Sequence, residues 1–439
     1  MKKMIPSILS LLILIIISPL FSKSADLFQN RRQAVVKNMS ANGLLILHTS
    51  DKGYRFGFNF RQNSDLYYLT GMNQEGITLI LSRTGIPYPN KNKIVHSILL
   101  INAPIQKKQN KKNFYLFMAD SLGYDLVCKP LEFRRILNQI SNTDVLYTNI
   151  ISKKQKNGLS FFEKKLSKFI NDYPSMQIKS PSILTSHLRR IKSDTEIKLI
   201  QKAVNITAKA HLEAFKSMKP GLYEYQIEAL VEFVFKYHGA EQLAFPTIIG
   251  AGSNSLELHY DKGSEKINPG DIVVMDIGCE YQHYCADLTR TVPASGKFSP
   301  EQKEIYNIVL EANKAIIDAL APGFSISQMD SIAKAVISKY GYEQYILHSC
   351  SHHLGLDVHD VGSRKEPFAP GCVITVEPGI YIPPDSNLPQ NYWNIGVRIE
   401  DDVLITEDGH QVLSAKLPKT IEEIEKIMAG EGLIDRAFR

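Results

Sequence analysis

Four carboxylates of this chain lie inside apolar, strand-like stretches of sequence. They are Asp276 in IVVMDIG, Asp287 in CADLTRT, Glu377 in VITVEPG and Glu400 in VRIEDDV, and His352 stands between the two pairs. A carboxylate buried among Val, Ile and Met is unfavourable unless it pairs with a cation or binds a metal. Four such groups with one imidazole therefore predict an oxygen-rich site with room for two divalent cations.

Asp276 and Asp287 are spaced to meet across a β-hairpin. If the strand Asp271–Cys279 turns back through Tyr281-Gln282, the two aspartates lie opposite each other on one face. Like charges in that position destabilise a strand pair, and a cation between them would relieve the repulsion. The alternative is that one aspartate caps a turn while the other is solvated.

Glu377 and Glu400 belong to a second pair of strand-like stretches. Glu377 closes VITVEPG, where the Pro-Gly pair that follows redirects the chain. Side chains alternate between faces along GVRIEDDV, so Arg398 and Glu400 should share one face. Two alternatives are a buried ion pair between Glu377 and an arginine, and a solvated acidic cluster over Glu400, Asp401 and Asp402.

His352 belongs to a histidine-rich segment, HSCSHHLGLDVHD, which has four histidines in twelve residues. Adjacent side chains point in different directions, so at most one of His352 and His353 should bind a metal directly. Oxygen ligands with a single imidazole favour Mn, Co or Zn over copper and over iron–sulfur chemistry. Two bridged metals generate a hydroxide and clamp a tetrahedral intermediate, which is chemistry for hydrolysing an amide or an ester. The motifs of helical zinc proteases, serine hydrolases, phosphate loops and dinucleotide folds are absent from the sequence.

The elements around these residues occur in the same order twice. SDTE at 193–196 is a capping-box pattern before an apolar-periodic helix, and a second helix, a strand, His259 and the two aspartate strands follow. Pro300 stands at the favoured first position of the next helix, after which come another helix, the histidine segment and the two glutamate strands. Two such halves facing each other would bring the four carboxylates to one centre.

The chain ahead of these halves has a different character. Strand-like runs (GLLILH, GITLILS, IVHSILLI, FYLFMA and DVLYT) alternate with helical stretches at Leu131–Ile140 and Leu159–Ile170. A polar segment at Lys179–Ser182 marks a boundary. We therefore predict a smaller α/β domain over 25–185 and a catalytic domain over 186–439.

The first two dozen residues, 1–24, predict a secretory signal peptide. Two lysines precede the apolar run Met4–Phe21, and Ser22 and Ser24 suit a signal peptidase that cuts before Ala25. A protein exported in this way is periplasmic or secreted and keeps no stable membrane insertion. The alternative is an uncleaved membrane anchor.

Composition and cysteine content exclude other classes of protein. The chain carries 51 Lys and Arg against 45 Asp and Glu, a net charge of +6. Much of that charge lies in Lys107–Lys112 and Lys153–Lys168, which are typical of solvated surface, so we expect no nucleic-acid partner. Five scattered cysteines are too few for a disulfide framework. Cys279 and Cys285 should point to opposite faces of the hairpin, so we expect no bridge between them.

The motifs resemble those of the pita-bread metallopeptidases, and within them the aminopeptidase P family of Xaa-Pro aminopeptidases. VVMDIGCEYQHYCADLTRT, SHHLGLDVHD, TVEPGIYI and IGVRIEDD occur in the family's order and spacing. FRQNSDLYYLTG looks like a segment typical of the family's amino-terminal domain, which methionine aminopeptidases lack. The resemblance implies an α+β fold, in which a pita-bread catalytic domain with pseudo-twofold halves follows a smaller α/β domain.

The resemblance also implies a role for each of the five candidate metal ligands. Asp276 would bind one metal, and Asp287 and Glu400 would bridge the two metals. His352 and Glu377 would complete the other coordination sphere. Glu377 would in addition be catalytic, because it would relay protons between the nucleophilic water and the leaving nitrogen.

Five further residues match positions on the family's substrate side. His259 falls where the family has a histidine near the scissile bond, and His348 and His359 match its substrate-side histidines. Tyr381 and Arg398 match positions that border the proline pocket. The resemblance therefore implies that all five bind substrate, and that His259 and His359 are catalytic.

The implied activity is hydrolysis of the bond before proline, which releases the N-terminal residue of Xaa-Pro-Xaa peptides through a metal-bridging hydroxide. Two divalent ions, expected to be Mn with Zn or Co as alternatives, and a homo-oligomer are implied as well. Ser349, Cys350 and His353 depart from the family's usual residues, and a thiol this near the site would bias it toward Zn or make it sensitive to oxidation. The alternatives are an Xaa-Pro dipeptidase and a catalytically inert binding protein of the same fold.

Overall fold

A computed structural model describes residues 19–49, 60–88, 93–102, 111–150 and 160–437. The chain forms two compact units, Met1–Leu188 and Arg189–Arg439. The sequence predicts the division at 185/186. Most of the predicted signal peptide, residues 1–18, and parts of the two Lys-rich stretches lie outside the described ranges. Within those ranges no helix combines the length and the apolar character that crossing a bilayer requires.

The first unit is built on a mixed six-stranded sheet. Its strands are β1 (Gly43–His48), β2 (Thr78–Tyr88), β3 (Lys93–Leu100), β4 (Leu126–Cys128), β5 (Val145–Thr148) and β6 (Gln177–Lys179). They lie in the order β4-β3-β2-β1-β5-β6, with β1 antiparallel to β2 and parallel to β5. Every residue of the central strand β1 is buried. A strand covered on both faces is typically a continuous apolar run, as GLLILH is.

Six helices of the first unit precede, connect or follow these strands in the part of the chain that the structure describes. They are α1 (Pro19–Asn38), α2 (Ser64–Thr70), α3 (Lys111–Leu122), α4 (Phe133–Leu137), α5 (Phe161–Asp172) and α6 (Ser182–Arg190), the last of which runs across the unit boundary. A capping box begins α5, because Ser160 Oγ accepts the Glu163 N–H at 3.2 Å and the Glu163 carboxylate accepts the Ser160 N–H at 2.7 Å. Leu166 and Phe169 of α5 pack in one core with Leu44 of the sheet.

One predicted strand of this unit is wrong. FYLFMA, residues 114–119, lies within helix α3. Met118 and Ala119 are buried, whereas Leu116 and Phe117 are each 44% exposed. Burial therefore follows the turn of a helix and does not alternate along a strand. A short apolar run does not distinguish the two by pattern alone.

The second unit contains two long pairs of helices and two short helices near its end. They are α7 (Asp194–Ser217), α8 (Glu224–Tyr237), α9 (Pro300–Ala319), α10 (Ile326–Ser338), α11 (Ile421–Met428) and α12 (Leu433–Ala437). Both predicted helix starts are confirmed. The Glu196 carboxylate accepts the Ser193 N–H at 2.8 Å. Ser299 Oγ accepts the Gln302 N–H at 3.1 Å, with Pro300 first in α9.

Short antiparallel sheets make up the rest of the second unit. The strands are β7 (Gln242–Leu243), β8 (Ile248–Ala251), β9 (Ile272–Ile277), β10 (Cys279–Tyr281), β11 (Tyr284–Cys285), β12 (Leu288–Pro293), β13 (Val373–Val376), β14 (Gly379–Ile382), β15 (Ile395–Arg398), β16 (Asp401–Thr406) and β17 (Gly409–Val412). Two three-stranded sheets, β12-β9-β8 and β13-β16-β17, hold or border the four carboxylates. Each sheet follows its own helix pair, α7 with α8 or α9 with α10. The predicted repeat of element order is confirmed.

All five cysteines are buried free thiols. In the hairpin, Cys285 lies opposite Glu280, the neighbour of Cys279 in the chain. Because side chains alternate along a strand, Cys279 faces away from Cys285, as predicted. Their thiols donate to different carbonyls, those of Ala203 and Leu356.

Candidate active site

The hairpin that carries the two aspartates has a different register from the predicted one. Its turn residues are Gln282 and His283, one position further along the chain, and both have positive φ, 48° and 69°. Two-residue hairpin turns favour positive φ because their twist then matches that of the strands. As a result Asp276 lies opposite Thr289 and not opposite Asp287.

The two aspartates nevertheless share one site. Asp287 comes just before β12, on the diagonal from Asp276, and both residues line the same cavity. Burial, and then the charges of Asp276 and Asp402, raise the pKa of Asp287 well above its ordinary value. The electrostatic conflict that the sequence predicts is therefore present, although it comes from a diagonal pair.

Glu377 and Glu400 lie where strands end. Glu377 follows β13, and Glu400 lies in the break between β15 and β16, so GVRIEDDV is not the single strand that was predicted. Thr289 nonetheless bridges two residues of that stretch. Its Oγ1 accepts from Arg398 Nε at 3.2 Å and donates to Glu400 Oε2 at 2.7 Å. Arg398 and Glu400 therefore face the same site, as predicted.

His352 adds an imidazole to the carboxylates. Its Nε2 lies 3.3 Å from Asp287 Oδ2 and 3.5 Å from Glu377 Oε1. One ligand atom from each of Asp287, His352 and Glu400 lies within 4.8 Å of the other two. His353 is buried beside it and packs away from the cavity. Only one of the two adjacent histidines reaches the site.

These side chains fit divalent cations. Asp276 Oδ1 is buried and accepts no hydrogen bond from the residues that the structure describes. Burial, and then the charges of Asp287 and Glu377, raise the pKa of Glu400. A cation among these groups would supply the missing partner and favour the ionised carboxylates. The donor set of carboxylate oxygens with one imidazole suits Mn, Zn or Co.

Three consecutive acids at 400–402 have separate partners, and the solvated-cluster alternative is wrong. Glu400, Asp401 and Asp402 are 1%, 1% and 0% exposed. Glu400 faces the cavity. Asp401 Oδ1 accepts from Arg290 Nη2 at 2.8 Å. Asp402 Oδ2 accepts the backbone N–H of Asp287 at 3.1 Å.

A chain of polar contacts joins Asp276 to the predicted substrate side. Arg398 Nη2 donates to Asp276 Oδ2 at 2.6 Å, and its Nη1 donates to the Tyr381 hydroxyl at 2.8 Å. That hydroxyl lies 2.8 Å from His348 Nε2, and His348 Nδ1 lies 2.8 Å from the Ser349 carbonyl. Burial lowers the pKa of His348, which favours the neutral ring. A neutral ring donates from Nδ1 to Ser349 and accepts at Nε2 from Tyr381.

One cavity of about 620 Å³ collects the candidate residues. Every predicted site residue except Tyr381 lines it: His259, Asp276, Asp287, His348, His352, His359, Glu377, Arg398 and Glu400. Tyr381 does not line the cavity, but its hydroxyl is hydrogen-bonded to two residues that do, His348 and Arg398. The ring of His359 lies edge-on to that of His352, 4.3 Å between centroids. Burial lowers the pKa of His359.

The sequence did not reveal several residues that hold these groups in place. Thr289 bridges Arg398 and Glu400, as described above. Thr375 Oγ1 accepts the His352 N–H at 3.0 Å and donates to Glu377 Oε1 at 3.3 Å. Alternation along VITVEPG places Thr375 on the face of Glu377, a signal that could have found it. Thr289 became visible only with the observed hairpin register.

Comparison with known proteins identifies the family. Residues 198–407 match Metallopeptidase family M24, and residues 28–111 match the Aminopeptidase P, N-terminal domain. An Xaa-Pro aminopeptidase of Haemophilus influenzae is 35% identical over 432 residues, covering 91% of this chain and 96% of the relative. An Xaa-Pro dipeptidase of Pyrococcus horikoshii is 35% identical, covering 86% and 97%.

A solved structure agrees with this assignment. Escherichia coli aminopeptidase P, as a variant in complex with substrate, has a TM-score of 0.78 and 30% identity, covering 94% of this chain and 99% of that one. The resemblance inferred from the sequence motifs is confirmed. The chain belongs to metallopeptidase family M24 and, within it, to the Xaa-Pro aminopeptidases of the aminopeptidase P type.

Proposed function

We propose that this protein is an aminopeptidase that removes the N-terminal residue from peptides with proline in the second position. The observation that carries the proposal is the convergence of Asp287, His352 and Glu400 in one cavity, with Asp276 and Glu377 on the same wall. These five residues would bind two divalent cations. Mn is the first choice, and Zn or Co would satisfy the same donors.

The cations, when bound, would supply Lewis-acid activation of the attacking water and of the substrate carbonyl. The chain's own residues would do the rest. Glu377, which contacts His352 and Thr375, would carry a proton from the water to the leaving nitrogen. His259 and His359 line the same cavity and would hold the scissile peptide. A neutral His359 can donate one hydrogen bond and accept another.

Selection for proline would depend on His348, Tyr381 and Arg398. The amide nitrogen of proline carries no N–H, so a donor cannot mark it and the pocket must recognise the ring by its shape. Tyr381 is 1% exposed and is hydrogen-bonded to both other residues. These hydrogen bonds would keep the three side chains rigid, so that they form a surface of fixed shape against the proline ring.

The direct test is release of the first residue from Xaa-Pro-Xaa peptides by purified protein supplied with Mn. In the Asp287→Asn variant we expect turnover to fall to background. The unfolding midpoint, measured without added cation, should change little, because the carboxylate repels its acidic neighbours when no cation is bound. Asp318→Asn, an exposed position on α9, is the matched control and should keep full activity. Normal turnover by Asp287→Asn would rule out this carboxylate as an essential ligand.

An Xaa-Pro dipeptidase is the second candidate, and the Pyrococcus relative gives it support. A match to the amino-terminal domain of aminopeptidase P favours the aminopeptidase. Turnover of an Xaa-Pro dipeptide and an Xaa-Pro-Xaa tripeptide should be compared at equal concentration. The aminopeptidase should prefer the tripeptide, and a strong preference for the dipeptide would favour the second candidate. Metal-loaded protein that cleaves neither would instead indicate an inert binding protein.

Export and self-association are also part of the proposal. The apolar N-terminal run supports a signal cleaved before Ala25 and a periplasmic or secreted mature protein. Mass spectrometry of protein recovered from the exported fraction should find a mature N-terminus at Ala25. The resemblance to the family also implies a homo-oligomer, and light scattering during size-exclusion chromatography should give a mass above that of one chain. An uncleaved N-terminus or a monomeric mass would refute the respective part.

A further inference from the structure

Asn313, in the middle of α9, connects the two glutamate-bearing segments. It is fully buried. Its Nδ2 donates to the backbone carbonyls of Val376, at 3.1 Å, and Ile399, at 3.3 Å. These residues immediately precede Glu377 and Glu400. The side-chain amide of Asn313 therefore hydrogen-bonds to the backbone one residue before each of the two candidate metal ligands.

Strand pairing is interrupted at these positions. Val376 and Asp401 form the last pair of the ladder between β13 and β16, and the ladder between β14 and β15 continues in the same register. Glu377 and Glu400 therefore lie opposite each other in the gap between the two ladders. The two N–H groups of an amide have fixed directions, and those of Asn313 hold the two backbone segments together across this gap.

Charged residues also hydrogen-bond to Asn313 and to the backbone of Glu400. Asn313 Oδ1 accepts from Lys419 Nζ at 2.7 Å, and Lys419 Nζ also donates to Asp401 Oδ2 at 2.6 Å. Arg290, itself buried, donates to Asp401 Oδ1 at 2.8 Å and to the Glu400 carbonyl at 2.5 Å. The carbonyl that precedes Glu400, which belongs to Ile399, and the carbonyl of Glu400 itself therefore accept hydrogen bonds from one connected network.

We propose that Asn313 is a positioning residue that fixes the separation of Glu377 and Glu400 where the strand ladder is interrupted, and thereby raises the affinity for the cations. The proposal depends on the proposed function, because it takes these glutamates as ligands. Asn313 does not line the cavity and would contact neither substrate nor cation. Residues that orient metal ligands through hydrogen bonds typically change metal affinity about 10- to 100-fold when they are replaced.

The decisive variant is Asn313→Asp. Aspartate has nearly the same shape and keeps an acceptor for Lys419, but it cannot donate to either carbonyl. We expect Mn affinity, measured by titration calorimetry on folded protein, to fall about 10- to 100-fold. At saturating Mn, kcat should fall while KM for an Xaa-Pro-Xaa peptide stays within about twofold, because the proline pocket is untouched. Asn313→Leu removes the same donors without adding a carboxylate, and serves if the first variant does not fold.

Gln302→Glu is the matched control on the same helix. Gln302 is also buried, and its Nε2 donates to the Gly270 carbonyl at 2.8 Å, away from the glutamates. The change again removes an amide donor and keeps an acceptor, so the cost to stability should be similar while Mn affinity stays at the wild-type value. Wild-type Mn affinity in a folded Asn313 variant, or an equal loss in Gln302→Glu, would overturn the proposal.

The calorimetric comparison also separates this proposal from the proposed function. Wild-type protein that binds Mn but releases no residue from Xaa-Pro peptides would refute the aminopeptidase. The affinities of Asn313→Asp and Gln302→Glu for Mn would still decide the role of Asn313. An active wild-type enzyme with unchanged affinity in both variants would refute the positioning role alone.

Discussion

At the scale of single residues, two neighbouring acids that are equally buried have pKa values shifted in opposite directions, because their charged partners differ. Asp401 and Asp402 are neighbours and are both buried. Burial raises the pKa of each, but for Asp401 the charges of Arg290 and Lys419 outweigh it and the pKa falls below the ordinary value. For Asp402 burial prevails, and the pKa is raised. One acid is therefore fixed as an anion in a salt bridge, whereas its neighbour supports the backbone of Asp287.

His211 on α7 predicts how stability depends on pH. It is fully buried, its Nε2 lies 3.0 Å from the Leu288 carbonyl, and burial lowers its pKa to about 3. Between about pH 3 and 6.5 the unfolded chain binds a proton that the folded protein does not, so stability is lost as pH falls through that window. The loss is at most about 1.4 kcal/mol per pH unit.

The variant His211→Gln keeps a donor for Leu288 but cannot titrate. Its unfolding free energy should therefore fall less steeply than that of the wild type between pH 6.5 and pH 4.5. Urea unfolding of both proteins at several pH values would measure the two slopes. Parallel slopes would show that His211 is protonated in the folded state and would contradict the prediction.

At the scale of elements, the turn of the aspartate hairpin decides which residues meet. The turn lies one position further along the chain than the sequence predicts. Both predicted strands are present, but the residue opposite Asp276 is Thr289 and not Asp287. The consequence is favourable for the site. Thr289 then stands between Arg398 and Glu400 and hydrogen-bonds to both. The two aspartates remain neighbours on a diagonal, without the full repulsion of a directly opposed pair.

The left-handed backbone at Gln282 predicts a stabilising substitution. Its φ is 48°, and its side chain is exposed. Residues with a Cβ disfavour this conformation by about 1 kcal/mol, whereas glycine does not. After subtraction of the extra freedom of glycine in the unfolded chain, Gln282→Gly should raise the unfolding free energy by about 0.5 kcal/mol.

Gln282→Ala is the control, because alanine shortens the side chain but keeps the Cβ. It should give no gain. Denaturant unfolding of the three proteins provides the comparison. Equal stabilisation by both variants would show that loss of the glutamine side chain, and not relief of backbone strain, is responsible.

At the scale of the whole molecule, the candidate site lies entirely within the second unit. All cavity residues fall between 245 and 400, after the boundary at Leu188 and Arg189. The first unit has its own sheet and its own core. Cation binding should therefore stabilise the two units unequally.

Amide hydrogen exchange with and without Mn tests this expectation. At a free Mn concentration 100 times the dissociation constant, binding should stabilise the second unit by about 2.7 kcal/mol, which slows exchange through its global unfolding ~100-fold. Protected amides of β9 and β12 should show this slowing, whereas those of β1 should not. Excess chelator should reverse it. Equal slowing in β1 would indicate that the two units unfold together.

The sequence by itself determined the kinds of groups at the site and the elements that carry them. Apolar context marked Asp276 and Glu377 as unusual acids, and capping signals located helices α7 and α9, because both signals are local in the chain. FYLFMA was misread because a run that short lacks a distinguishing period. The resemblance to the family then implied roles for the metal ligands and the substrate-side residues, which the spacing of the residues alone did not indicate.

Only the tertiary structure decided which atoms meet. The φ values of a two-residue turn set the hairpin register, and Thr289 gained its role from that register. Asn313 lies in a helix without a motif, and Arg290 lies in the CADLTRT motif, which assigned it no role. Both contact segments some 60 to 130 positions further along the chain. Most of the groups to which they donate are backbone carbonyls, which every residue possesses, so residue types in the sequence do not identify these contacts. Packing of helix against sheet makes the selection, because it fixes which carbonyls are buried within reach of a donor.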